Sequence, residues 1–185
     1  MRSVFVRRPD AAELRRYSEG RRGKFRVWWP VAVMLIVIAI ESTNTFSAEN
    51  TSGWLRPVFE RMFGHVSDHF WGVLHFWVRK SGHLIWYGIL CLTWLRAWLL
   101  TLGRKAGLAV WKWRLQSSAL ALLCTFCVGG LDEWHQTFIP SRTGMFSDVL
   151  IDTFGGFLAC LVVALLFWAR PRRRGGNAVV LAVGD

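Results

Sequence analysis

Four stretches of this chain are too apolar and too long to be left in water, and they dictate what it can fold into. Ser81–Thr101, Leu115–Leu131 and Ser147–Ala169 approach the roughly 20 residues that cross a hydrocarbon layer about 30 Å thick. Val27–Ile40 is shorter, and its 14 residues would rise only about 21 Å as a helix. A first span must therefore run on to about Phe46, which draws Glu41, Ser42, Thr43 and Asn44 below the headgroups. Trp28 and Trp29 open that block and Trp168 closes the last one, as interface anchors do. A cleaved signal peptide is the competing reading of the first block. The long basic stretch before it, and the poor small-x-small site at Phe46–Ser47–Ala48, speak against cleavage.

The expected fold is all-α: a polytopic four-transmembrane-helix bundle with spans of about 27–46, 81–101, 115–131 and 147–169. Between the first two spans, Phe59, Met62/Phe63, Val66, Phe70, Val73/Leu74 and Trp77 recur at helical spacing. This pattern predicts an interfacial amphipathic helix over about 56–78. Residues 1–26 read as a basic tail, with a short helix around Asp10–Tyr17, and 171–185 as a second basic, flexible tail. The membrane domain is residues 27–170, and no internal repeat is detectable.

The formal charge of +11 would suit a nucleic-acid binder, but its distribution excludes that class. The basic residues border apolar blocks. The amino tail, the 103–114 loop and the carboxyl tail hold 9, 4 and 4 Lys/Arg, against 4 in 47–80 and 1 in 132–147. Positive charge gathers on the cytoplasmic side, so both termini are expected in the cytoplasm. Arg96 lies within reach of the 103–114 loop and can snorkel toward it. Cys91, Cys124, Cys127 and Cys160 all fall in apolar blocks, so they are expected to be buried, reduced and inert. The CxxC of Cys124 and Cys127 lacks the matching His pair of a zinc site.

With that topology, the polar residues that conflict with a membrane location all gather at one side. Glu41 ends span 1, while Lys80, His83 and Tyr87 open span 2 at i, i+3 and i+7. Asp132, Glu133 and Gln136 end span 3, Arg142 lies in the following loop, and Asp148 and Asp152 open span 4 at i, i+4. His135 has no helical partner of its own. Carboxylates in a span are costly and normally face the bundle interior with partners. These ten groups are therefore expected to form one polar site. Five acids in low dielectric raise one another's pKa unless a cation binds. Asp132, Glu133, Asp148 and Asp152 are candidate ligands for Mg²⁺ or Ca²⁺, which favour oxygen donors. An anion such as a lipid phosphate would instead need Lys80 and Arg142 together.

The motifs Lys80-x-Gly82-His83-x3-Tyr87, then Asp132–Glu133-x-His135–Gln136-x-Phe138-x-Pro140-x-Arg142, and Asp148-x3-Asp152-x2-Gly155 resemble the VanZ family. That family of membrane proteins was first associated with reduced susceptibility to the glycopeptide teicoplanin. The resemblance covers about residues 27–169 and implies a four-helix fold in the bacterial cytoplasmic membrane. It supplies no reaction. A partial similarity links Lys80–Ser81–Gly82–His83 and Ser141–Arg142-x5-Asp148-x3-Asp152 to the type-2 phosphatidic acid phosphatases, whose elements are PSGH and SR-x5-H-x3-D. Here Lys80 replaces the Pro, Asp148 replaces the His nucleophile, and Glu49 stands where the upstream Lys should be. That similarity implies a lipid phosphatase or phosphotransferase using Asp148, with His83 as acid and Arg142 holding phosphate. The leading expectation is an envelope protein whose extracytoplasmic polar pocket binds a lipid-linked, lipid-phosphate or cell-wall-related ligand. A purely structural bundle is the third reading.

Overall fold

The computed structural model describes residues 4–5, 10, 12–13, 20–103 and 109–168. Most of the expected Asp10–Tyr17 helix, Arg104 and Lys105 of the basic loop, and everything from 169 onward lie outside the described residues. Within them are five helices and no strand: α1 Gly20–Glu41, α2 Ala48–Phe63, α3 Asp68–Leu102, α4 Val110–Gln136 and α5 Phe146–Val163. The last turn of α5 widens to π hydrogen bonding over Ala164–Trp168. Helices α1, α3, α4 and α5 are each long and apolar enough to cross a bilayer. This is an all-α, multi-pass membrane protein.

The first span starts earlier and ends earlier than 27–46. It is lengthened at its basic start, where charged side chains reach water, rather than through its polar end. At Ser42–Asn44 the helix gives way to a turn in which Thr43 Oγ1 donates to Ile40 O at 2.7 Å. Pro30 sits inside α1 and cannot donate to Arg26 O, four residues back. Arg96 supplies a donor instead: its guanidinium bonds Arg26 O at 3.2 Å and Val27 O at 3.0 Å.

The amphipathic segment expected over 56–78 is two helices. Ser47 caps α2 through its side chain, and Gly64 ends it with φ of 87°, a conformation that glycine adopts without strain. Ser67 caps α3, which then runs unbroken for 35 residues, about 52 Å at helical rise. That exceeds the hydrocarbon core by about 20 Å, so the first turns of α3 project past one end of the bundle. There α2 folds back on them. Trp71 Nε1 donates to Ser52 Oγ at 2.7 Å, His75 Nε2 meets Thr51 Oγ1 at 3.1 Å, and the Phe59 and Trp71 rings lie 5.7 Å apart.

Helix α3 is central: it packs against α1, α4 and α5, and α4 also packs on α5. The stripe Val27, Val31, Met34 and Ile38 seals α1 to α3. Helix α4 buries Trp113, Ser117, Ala121, Thr125, Gly129 and Glu133, one residue every four. Small side chains along such a face let helices approach closely. The α3–α5 seam is tighter still. A Cβ at Gly155 would lie 2.2 Å from Leu84 O, and one at Gly156 3.1 Å from Cys91 Cβ. Cys91 and Cys160 are buried in this seam with free thiols, their sulfurs 3.7 Å apart. Cys124 is half-buried and Cys127 is exposed on the outer face of α4. Of the four cysteines, Cys91 and Cys160 lie inside the bundle, whereas Cys127, on a spanning helix, points away from the four-residue stripe and so toward lipid.

Candidate functional site

Helices α3 and α5 run parallel from the same end of the bundle, so successive side chains pair as the rungs of a ladder. Lys80 is ion-paired with Asp148 Oδ1. One turn deeper, His83 Nδ1 meets Asp152 Oδ1 at 3.1 Å. Deeper again comes the backbone contact of Leu84 with Gly155. Asp152 is fully buried and Asp148 nearly so. Tyr87, one turn below His83, is 2% exposed and packs with Met34, Ile38 and Leu90. It is a core residue of the bundle.

Helix α4 enters from the opposite direction and delivers Glu133 at the end of its buried stripe. Glu133 Oε2 accepts the Met145 N–H at 2.8 Å, one of the donors at the start of α5 that lack a helical partner. Gly144 permits this approach, since a Cβ there would lie 2.2 Å from Glu133 O. Gln136 Nε2 donates to Asp132 Oδ2 at 3.0 Å, the i, i+4 pair of the sequence pattern. Asp132 lies within electrostatic range of Glu41, Tyr87, Arg142 and Asp152.

The loop between α4 and α5 is latched to the end of α1. Arg142 Nη2 donates to Glu41 O and to Thr43 O at 2.9 Å, satisfying carbonyls that a helix C-terminus leaves open. Ser141 Oγ bonds Asn44 Oδ1, and His135 Nδ1 meets Ser42 Oγ at 3.3 Å, so His135 has a partner across the bundle. Burial pushes the Arg142 pKa down, and Arg79 acts in the same direction, while Asp132, Glu133 and Glu41 oppose them. A guanidinium remains protonated under such shifts.

The sequence reading did not single out Arg79. It lies within electrostatic range of Asp148, Glu133 and Arg142, and its i, i+4 spacing from His83 was the signal that placed it there. Ser42 was likewise missed as the partner of His135.

Among the described residues, four buried polar atoms at this end have no hydrogen-bond partner: Tyr87 Oη, Glu133 Oε1, Arg142 Nε and Asp152 Oδ2. Each such atom costs roughly 1–3 kcal/mol. One set of donors is suited to an ion: a His83 ring nitrogen and one oxygen each from Glu133 and Asp148 lie within 4.8 Å of one another. Asp132 and Asp152, two of the four acids expected to hold a cation, are not in that set. Asp132 is turned to Gln136 and Asp152 to His83. A separate groove, lined by Arg21, Arg22, Phe25, Arg26 and Trp29, lies at the other end of α1.

A family model described as VanZ/LLP1 matches residues 21–167. No curated protein and no solved structure matches the chain.

Proposed function

The chain belongs to the VanZ/LLP1 family, and on that footing we propose that its polar end binds a lipid-linked or cell-wall-related ligand. The side of the membrane in this reading is the extracytoplasmic face of the bacterial cytoplasmic membrane, with both termini in the cytoplasm, as the distribution of Lys and Arg argues. One observation carries the proposal: at this end of the bundle Tyr87 Oη, Glu133 Oε1, Arg142 Nε and Asp152 Oδ2 are each buried without a partner among the described residues. Polar atoms in that state normally mark a place where water, an ion or a ligand completes the bonding. Arg79, within electrostatic range of Asp148, Glu133 and Arg142, is the basic side chain placed to meet a phosphate or carboxylate. Around these groups Ile85, Phe138, Phe146 and Leu150 are exposed, an apolar surround along which a lipid tail can lie. The teicoplanin association of VanZ proteins fits a cell-wall-related ligand.

A phosphatase using Asp148 as nucleophile draws less support. Lys80 already holds the Asp148 carboxylate, and the Arg142 guanidinium bonds backbone carbonyls of the 41–43 turn.

The test is native mass spectrometry of the detergent-purified protein incubated with a polyprenyl phosphate and, separately, a glycerolipid phosphate. One bound lipid per chain is expected, with at least tenfold weaker retention in Arg79→Gln. A wild-type chain that retains neither lipid, or an Arg79→Gln variant that retains it equally, would overturn the ligand reading.

A further inference from the structure

We propose that His83, Glu133 and Asp148 form a divalent-metal site, with Zn²⁺ or Mn²⁺ favoured over Mg²⁺ and Ca²⁺, and with Asp152 as the group that orients the imidazole. Three side chains from three helices converge here, each with a donor atom within 4.8 Å of the others. Their directions are fixed by other contacts. His83 Nδ1 is committed to Asp152 Oδ1 at 3.1 Å, which leaves Nε2 as the nitrogen free to ligate. A carboxylate behind a histidine is the usual device for fixing the tautomer and ring angle of a metal ligand. Glu133 is 4% exposed, and with Oε2 on the Met145 N–H it keeps Oε1 buried and unpartnered. That atom is a desolvated acceptor with no donor supplied by the protein.

Charge points the same way. Glu41, Asp132, Glu133, Asp148 and Asp152 share this end with three permanent cations, Arg79, Lys80 and Arg142, so acidic side chains outnumber basic ones and a cation is the ion this end accommodates. The imidazole decides among ions. Magnesium and calcium favour all-oxygen shells, whereas a nitrogen with two carboxylates suits zinc or manganese. Ligands on a tetrahedral ion with bonds of about 2.1 Å lie about 3.4 Å apart, so the three side chains must close by up to about 1.4 Å on binding. Side-chain torsions supply that movement without shifting a helix.

Lys80 has a specific part in this arrangement. Its ammonium sits on Asp148, one of the three ligands, so it competes with the metal for that carboxylate. Metal binding releases Lys80 toward the outer end of the bundle, where Arg79 and Arg142 already stand. The prediction that follows is unusual: removing a basic side chain should strengthen cation binding. A misfolded variant cannot imitate that gain.

The experiment uses full-length protein in detergent, stripped with a chelator and then equilibrated with Zn²⁺, Mn²⁺, Mg²⁺ or Ca²⁺ alone, with no lipid added. Metal content is read by mass spectrometry, and affinity by competition with a fluorescent chelator. One Zn²⁺ or Mn²⁺ per chain is expected. Asp152→Asn should weaken it by about 10–100-fold, as loss of an orienting carboxylate does, while His83→Gln and Glu133→Gln should weaken it further. Lys80→Gln should tighten it. Binding that is substoichiometric, or that His83→Gln and Glu133→Gln leave unchanged, would overturn the site. Weaker binding in Lys80→Gln would overturn the placement of the ion on Asp148. Because no lipid is present, failure here is distinct from failure of the ligand reading.

Discussion

Replacing Gly155 by alanine adds one methyl group at the point where the whole ladder is held in register. The new Cβ would lie 2.2 Å from Leu84 O, 3.0 Å from its carbonyl carbon and 3.1 Å from its Cα. All three are backbone atoms, so no rotamer change relieves the clash. Carbon–oxygen contacts between helices settle at about 3.3–3.6 Å, which requires α3 and α5 to part by about 1 Å. The next rung outward is His83–Asp152 at 3.1 Å, and the same displacement carries it to about 4 Å, beyond hydrogen-bond range. Overpacking costs about 1–3 kcal/mol, and a lost bond to a charged group adds about 1.5–3 kcal/mol. Taking about 2.5 kcal/mol as the low side of that sum, a chain of this size should lose at least about 5 °C in Tm. Unfolding in detergent can be followed by the fluorescence of the twelve Trp. Gly130→Ala is the control, since nothing lies within 4 Å of a Cβ there; it should hold or gain stability by up to about 1 kcal/mol. A Gly155→Ala protein melting with the wild type would refute the claim that this contact sets the register.

Three further outcomes are expected. His83→Ala leaves the fully buried Asp152 carboxylate without its imidazole and should cost about 3–5 kcal/mol, whereas adding Asp152→Ala should return much of it; additive losses in the same unfolding assay would deny the coupling. Arg142→Met removes the nitrogen that donates to both Glu41 O and Thr43 O, so the 137–145 loop should be cleaved faster in limited proteolysis, with a stability loss of about 1–2 kcal/mol; an unchanged cleavage rate would show that the latch is not needed. In intact cells, exposed Thr143 changed to Cys should react with a membrane-impermeant maleimide while the wild type does not, and labelling only after lysis would reverse the proposed orientation.

The composition of the chain made the four spans legible, because no other fold accommodates apolar runs of that length. Their edges were less so, for identifiable reasons. The periodicity of Phe59 through Trp77 continues across Gly64–Ser67, so pattern alone joins two helices into one. The break was written in local chemistry instead: a glycine at positive φ, then Ser67 capping Phe70 N–H at 3.3 Å. The first span was drawn through its polar end because its apolar core is short, although its basic start could be helical at no cost in water. Pro30 inside that span was tolerable because Arg96, sixty-six residues later, covers the carbonyl it frees, and no local pattern encodes that partner.

For the site, face and partner separate in the same way. That Glu133 faces inward was readable, because Ser117, Ala121, Thr125 and Gly129 mark the packed face of α4 at four-residue intervals and Glu133 is the next position. That Asp148 and Asp152 share a face follows from their spacing. Which base each acid meets depends on the axial register of α3 against α5, and a slip of one turn, 5.4 Å, would bring different acids and bases together. The register is set by close approach at Gly88, Gly155 and Gly156, residues with no chemistry of their own. The same dependence explains why the donors that converge are His83, Glu133 and Asp148, with Asp132 turned elsewhere. An i, i+4 glutamine occupies Asp132 within its own helix, and Asp152 is turned to the histidine. The acids left facing the bundle axis are then Glu133 and Asp148, so the metal proposal and the Gly155→Ala prediction rest on one seam. A bundle that tolerated the extra methyl group would have to hold His83 against Asp152 by some other contact.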